Sequence, residues 1–179
     1  MKSTKPDGLD SIDEHSAWLW GDYIYIFGGN VHGFKSDKLF LYDFKLDKWR
    51  TKEFQNGPSA RSSHSAVVKD NKMYVFGGKD FENNKLNDFW VFDIITGIWT
   101  EIPYSQEVDW PVSRSGHSTG VFKNFIIIFG GIHELIQELN DLHLYDIVNN
   151  RWSLVYDEVE SPVNNKSNYS TFAQSRMKI

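Results

Sequence analysis

The sequence predicts an all-β protein in which one four-stranded antiparallel sheet is built three times. An apolar strand that ends in paired glycines occurs at 24–29, 73–78 and 126–131. A histidine precedes each first glycine by thirteen residues, and a tryptophan follows it after 21, 22 and 22 residues. The repeat period is 49 and then 53 residues. A constant interior with variable joints indicates a repeat protein.

The first repeat has the pattern of a four-stranded meander. Residues 1–14 are polar and carry turn formers, so we expect a flexible leader. The first strand turns at Gly21-Asp22 into the glycine-ended strand, which is typical of a β-hairpin. A loop at 30–36 then leads to the second half of the unit. The four strands are expected at 15–20, 24–29, 38–43 and 49–53.

The second and third repeats follow the same order. Each begins after a joint that contains a proline, where the missing N–H costs no ladder hydrogen bond. The strands are expected at 64–69, 73–76, 88–94 and 99–102, and then at 117–122, 125–129, 141–147 and 151–155. The three units are therefore 15–57, 58–110 and 111–156.

Residues 157–179 have the pattern of a degenerate fourth unit and a tail. Placing Pro162 on Pro58 and Pro111 puts Asn168 where the other repeats have histidine. No glycine-ended strand follows. We therefore expect only the start of a fourth repeat here.

Composition excludes several classes of function. The formal net charge is -5, which argues against a nucleic-acid surface or an anionic membrane surface. The chain has no cysteine, so disulfides, thiolate metal sites and cysteine nucleophiles are excluded. It has no signal-peptide pattern and no apolar run of membrane-spanning length. A cytoplasmic or nuclear location is the default expectation.

The units resemble kelch repeats, whose marks are an apolar tetrad before Gly-Gly and then a spaced Tyr and Trp. The resemblance covers 15–156 and implies a β-propeller, in which four-stranded blades stand radially around an axis with the first strand innermost. Members of the family usually have five to seven blades, so three blades plus the start of a fourth form a partial β-propeller. The unfinished arc is explained by truncation, by self-association that completes a ring, or by another chain; the break in the pattern favours truncation.

Antiparallel connectivity places the joints and the loops between strands two and three on the same face. These loops are the longer and more varied ones, so we expect a protein or peptide partner to bind there. The candidate partner-binding residues are Arg61, Ser62, Ser63, Arg114 and Ser115 on the joints, and Asn30, His32, Phe34, Lys79, Asp80, Phe81, His133 and Glu134 on the loops.

The resemblance implies that Arg61 and Arg114 anchor a partner, since many kelch propellers use Arg and Ser at these positions. An arginine fork suits a carboxylate. An equal alternative is that both arginines form ion pairs between blades. The first joint has Asp13-Glu14 and no arginine. His15, His64 and His117 recur at one position, where a repeated hydrogen bond is expected rather than a metal site.

The sequence thus predicts a non-catalytic interaction module or scaffold, with no catalytic residue, no cofactor and no metal. One alternative is the substrate-recognition part of a ubiquitin ligase, since some kelch proteins act so. Another is a sugar isomerase-type enzyme, which would need assembly because three blades cannot enclose a channel. Copper oxidases of the family use a cysteine-linked tyrosine, which the absence of cysteine excludes.

Overall fold

The computed structural model describes Pro6, Leu9 and residues 11–156. Across these residues the chain forms fifteen β-strands and no helix. The strands are β1 (Ile12–Asp13), β2 (Ser16–Trp20), β3 (Tyr23–Phe27), β4 (Asn30–Val31), β5 (Phe34–Lys35), β6 (Leu39–Asp43), β7 (Lys48–Lys52), β8 (Ser65–Lys69), β9 (Lys72–Lys79), β10 (Lys85–Asp93), β11 (Ile98–Ile102), β12 (Ser118–Phe122), β13 (Phe125–His133), β14 (Gln137–Asp146) and β15 (Arg151–Tyr156).

Twelve of these strands form three antiparallel sheets of the same design. Blade 1 has the order β2-β3-β6-β7, blade 2 the order β8-β9-β10-β11, and blade 3 the order β12-β13-β14-β15. Every neighbouring pair within a blade is antiparallel. The predicted all-β fold of three four-stranded blades is confirmed.

The blades pack face to face in chain order. The first strands β2 and β8 contact each other, as do β8 and β12, which is the arrangement of inner strands around a propeller axis. One hydrophobic core joins blades 1 and 2, and a second joins blades 2 and 3. Each blade therefore buries its apolar faces against its neighbours, as repeat architectures require.

Strands two and three of blades 2 and 3 run further than the sequence predicts. β9 continues through Gly77 and Gly78 to Lys79, and its ladder with β10 resumes after a register shift. Gly78 has a φ of +104°, and a Cβ atom there would lie 2.8 Å from the carbonyl oxygen of Ser62. Only glycine fits this close approach without strain. The glycine pair therefore forms a bend within the strand, at the point where the sequence predicted that the strand ends.

The segment expected as a leader contributes a strand near its end. β1 pairs with β4, and β4 pairs with β5, so the predicted loop 30–36 contains a small hairpin. Leu9 is buried at the position that Pro58 and Pro111 occupy in the later joints. Leu9 and residues 11–14 thus correspond to the joint of blade 1, of which the sequence identified only Asp13-Glu14.

The expected start of a fourth unit at 157–179 lies outside the described residues. Within the described residues no helix is long and apolar enough to cross a membrane.

Candidate interaction surface

The joints and the loops between strands two and three lie together on one face, which we call the loop face. Isolated bridges join Ser62 to Lys79 and Ser115 to Ile132, and blade 1 has the equivalent pairing of Asp13 with Asn30. The turns after the third strand of each blade lie at the opposite ends of the strands. The loop face therefore contains both groups of candidate residues from the sequence.

Arg61 lies inside blade 2 rather than on its surface. Its Nη1 and Nη2 atoms donate to the two carboxylate oxygens of Asp88 at 2.7 and 2.6 Å, and Nη1 also donates to the carbonyl oxygen of Gly77 at 3.0 Å. Its own carbonyl oxygen accepts from the N–H of Gly29 in blade 1 at 2.8 Å. The residue therefore joins the backbone of one blade to the interior of the next.

Arg114 repeats this arrangement one blade later. It donates to both oxygens of Asp141 at 2.6 Å and to the carbonyl oxygen of Gly130 at 3.0 Å, and its carbonyl oxygen accepts from Gly78. Burial opposes ionisation of Asp141, but hydrogen bonds from Arg114 and His143 hold the pKa of that carboxyl well below its usual value. The pair is a charged, hydrogen-bonded link inside blade 3.

The side chains of Arg61 and Arg114 are both 0% exposed. This differs from the prediction that they anchor a partner, because a guanidinium with both edges committed inside the blade has no donor left at the surface. The alternative of ion pairs fits their geometry in part: each pair forms within one blade, and the link to the preceding blade is made by the carbonyl oxygen of the arginine.

The joint serines also make structural contacts. Ser62 and Ser115 are buried, and their backbones form the bridges that join joint to loop. Ser63 is partly exposed and has a φ of +52°, and its N–H donates to the carbonyl oxygen of Glu14 at 2.9 Å. These serines therefore set the spacing of the joints around the axis, and only Ser63 offers its side chain to solvent.

Glu14 is a residue whose role sequence reasoning missed. Its carboxylate accepts from Ser62 Oγ at 2.6 Å and from Lys79 Nζ at 3.3 Å. The Ser62 hydrogen bond, despite opposing burial, lowers the pKa of Glu14 to about 2. Glu14 precedes His15 as Ser63 precedes His64, and both residues have a φ of +52°. Their equivalent place before the repeated histidine is the signal in the sequence that could have identified Glu14.

Large apolar side chains lie exposed on the loops of all three blades. Phe34 and Phe81 are 65% and 69% exposed in blades 1 and 2. Leu135 and Ile136 are 93% and 88% exposed in blade 3, and neither was among the sequence candidates. We call these four residues the apolar tips. They are large apolar side chains that this surface exposes to solvent.

The predicted polar loop residues surround these tips. Asp80 shapes the loop of blade 2, because its carboxylate accepts from the backbone N–H groups of Glu82 and Asn84 at 2.9 Å. His32 is exposed in the turn of the blade 1 hairpin, at a φ of +51°. Asn30 is partly buried in β4. A shallow, open depression of about 450 Å³ lies beside Phe81, lined by Ser59, Ala60, Asp80, Phe81 and Glu82.

His133 and Glu134 lie next to the apolar tips of blade 3. The His133 ring contacts the carbonyl oxygen of Ser113 through Nδ1 at 2.6 Å, and its Nε2 lies 3.7 Å from the Glu134 carboxylate. Glu134 has a φ of +49°. Their contacts orient the loop, and the Glu134 side chain remains exposed.

The repeated histidines connect blades to each other. His64 Nε2 lies 2.8 Å from Ser16 Oγ of blade 1, and His117 Nε2 lies 2.7 Å from Ser65 Oγ of blade 2. Burial, followed by the charge of the nearby arginine, lowers the pKa of each buried imidazole to about 3. His15 is exposed. Within 11–156 no group of three or more His, Asp or Glu side chains is arranged to hold a metal ion.

Comparison with known proteins gives a family match over almost the whole chain. Residues 3–179 match the model described as the KLHDC2/KLHL20/DRC7 Kelch-repeats domain. Kelch domains are generally protein-interaction modules.

Individual relatives are about 30% identical to the chain over the aligned segments. It is 32% identical over 129 residues to a probable serine/threonine-protein kinase of Dictyostelium discoideum, covering 69% of the chain and 10% of the relative. It is 29% identical over 140 residues to mouse Kelch domain-containing protein 1, covering 75% of the chain and 33% of the relative. It is 29% identical over 162 residues to rat Kelch domain-containing protein 3, covering 84% of the chain and 42% of the relative.

The chain thus spans less than half the length of each of these relatives. Together with three four-stranded blades packed in chain order, the match shows that the chain belongs to the kelch-repeat family of β-propeller proteins.

Proposed function

We propose that the chain is a non-catalytic interaction module that binds a protein or peptide partner through the loop face. The observation that carries the proposal is the presence of apolar tips on every blade of that face. Exposed apolar and aromatic side chains beside polar groups are typical of binding surfaces. The partner contacts are the tips themselves, with Asp80, His32, Lys79, His133 and Glu134 as the polar surroundings.

The difference between the two faces supports the choice of the loop face. At the opposite face, the turns after the third strand share one construction, in which Asp43, Asp93 or Asp146 accepts two backbone N–H groups of the turn. The loops of the loop face instead differ in length and conformation between blades. Loops that diverge while the scaffold repeats are where specificity is expected.

The buried arginines change which residues carry the binding. The guanidinium groups of Arg61 and Arg114 are hydrogen-bonded inside the blades. We therefore assign the partner contacts to the apolar tips and not to these two arginines. The partner that fits is one with an apolar surface, and its charged groups contact the rim only.

The proposal is tested by partner capture with the tagged 179-residue chain. The triple variant Phe81→Ser, Leu135→Ser and Ile136→Ser should reduce the captured partner by about tenfold or more, because exposed apolar anchors dominate such interfaces. The captured proteins are quantified by mass spectrometry against the unchanged chain.

The matched control removes equally exposed apolar side chains from the opposite face. Ile95 and Val148 are 70% and 71% exposed in the turns after the third strands of blades 2 and 3. The variant Ile95→Ser with Val148→Ser should keep the same partner. Equal loss in the two variants, or none in the loop variant, would contradict the assignment of the face.

A further inference from the structure

Among the described residues, blades 1 and 3 each leave one half of a repeated interface uncovered. In the interface between blades 1 and 2, Phe27 inserts its ring between His64 and Trp99, at centroid distances of 5.3 and 5.1 Å. Ser16 of blade 1 contacts the same histidine. One blade thus supplies a phenylalanine and a serine, and the next supplies a histidine and a tryptophan.

The interface between blades 2 and 3 repeats these contacts. Phe76 lies 5.6 Å from the ring of His117 and 5.6 Å from the ring of Trp152, and Ser65 contacts His117. Phe27 and Phe76 are 0% and 1% exposed. The same arrangement of phenylalanine, serine, histidine and tryptophan therefore forms both interfaces between neighbouring blades.

Blade 3 presents the first half of that interface without the second. Phe129 stands at the position of Phe27 and Phe76 but is 48% exposed. Ser118, which corresponds to Ser16 and Ser65, is exposed as well. Among the described residues no blade covers this face.

Blade 1 presents the second half. His15 corresponds to His64 and His117 and is exposed, and Trp49 corresponds to the buried Trp99 and Trp152 but is only half-buried. Ile24 and Ile26, at the positions of buried residues in blades 2 and 3, are also only partly buried. The two open faces therefore carry complementary sets of residues.

We propose that a second copy of this chain docks head to tail, so that Phe129 and Ser118 of one copy meet Trp49 and His15 of the other. The new contact continues the two interfaces already present inside the chain. Two such contacts, related by a two-fold axis, would close two three-bladed arcs into a ring of six blades, which is within the range of propellers. This inference is independent of which partner the loop face binds.

The backbone at the axis supports the same continuation. The N–H of Ser63 donates to the carbonyl oxygen of Glu14 at 2.9 Å, and the N–H of Gly116 donates to the carbonyl oxygen of Ser63 at 2.8 Å. These three residues are equivalent joint positions with positive φ. In the ring, the N–H of Glu14 of the second copy donates to the carbonyl oxygen of Gly116 and closes the chain of hydrogen bonds.

The test is the mass of the 179-residue chain in solution, measured by light scattering over a range of concentrations. The expected result is a dimer of twice the 20.8 kDa chain mass. The variants Phe129→Asp and His15→Glu should each weaken the dimer by about 30-fold or more in dissociation constant, because each places a carboxylate in both contacts of the ring. Phe81→Ala, an exposed aromatic outside both end faces, should leave the dimer unchanged.

Mixing the two variants makes the test specific for head-to-tail contact. The Phe129→Asp copy keeps an intact His15 face, and the His15→Glu copy keeps an intact Phe129 face. One contact of the mixed pair is therefore complete and the other holds both carboxylates, and one complete contact should hold the two copies together more tightly than the two impaired contacts of either variant alone. A monomeric unchanged chain, or a mixture no tighter than its components, would overturn the proposal and point to another occupant of the blade 3 face, such as residues 157–179 or a different polypeptide.

Discussion

At the scale of single residues, the buried arginines show how a repeated position acquires its role. Arg61 and Arg114 each meet an aspartate 27 residues later in the chain. Blade 1 has Ile12 and Lys38 at the two equivalent positions, so both members of the pair change together. That constant spacing was the signal in the sequence that could have identified the pair. The burial could not be predicted, because it depends on how strand three folds back beneath the joint.

The contribution of the Arg114–Asp141 ion pair to stability can be tested by removing one of its two charges. Asp141→Asn leaves Arg114 buried without its counter-charge, so we expect the free energy of unfolding to fall by about 3–5 kcal/mol. The control is the exposed pair of Lys45 and Asp22, whose atoms approach to 2.5 Å at the surface. Asp22→Asn should cost less than about 1 kcal/mol. Urea unfolding measures both, and equal losses would contradict the structural role of Arg114.

At the scale of strands and joints, the sequence predicted the number, order and antiparallel pairing of the blade strands. Their signals are local, since an apolar run, its paired glycines and the turn residues lie within each hairpin. The joint of blade 1 was recognised only at Asp13-Glu14, and its earlier part was assigned to a leader, because it lacks the Pro-x-x-Arg pattern of the other joints, with Leu9 and Ile12 in those places. The strand extensions were missed because a glycine pair looks like a strand end when it forms a bend within the ladder.

The glycine bend gives a second prediction. Gly78→Ala places a Cβ atom 2.8 Å from the Ser62 carbonyl oxygen at a φ of +104°, so we expect a loss of more than about 1 kcal/mol in the free energy of unfolding. Gly120 in β12 provides the matched control, because its Cβ would meet no atom within 4 Å and its φ is not positive. Gly120→Ala should be neutral or slightly stabilising. Similar losses in thermal unfolding would be inconsistent with the tight approach at Gly78.

At the scale of the whole molecule, three blades stack in chain order and each is fixed to the next by histidine, serine and aromatic contacts. The threefold repeat made this architecture predictable, and connectivity alone placed the joints and loops on one face. The apolar tips Leu135 and Ile136 were not predicted, because nothing in the repeat pattern distinguishes an exposed loop residue from a buried one. Within the described residues, blades 1 and 3 each keep one stacking face uncovered.

Stacking also makes stability depend on pH. His64 and His117 are neutral in the folded protein because burial lowers the pKa of each to about 3, below the unfolded value of 6.5. Between those limits the unfolded chain binds protons that the folded chain does not. The stabilisation is therefore complete above pH 6.5 and is lost as the pH falls toward 3, by up to about 1.4 kcal/mol per pH unit for each histidine.

The most direct measurement of blade stacking is an NMR titration of the imidazole rings of His64 and His117, assigned with the variants His64→Asn and His117→Asn. If each ring lies buried against the serine of the preceding blade, both remain neutral at pH 5. Titration of both rings near pH 6.5 in the folded protein would show that they are solvated, and would contradict the packing of each blade on the next.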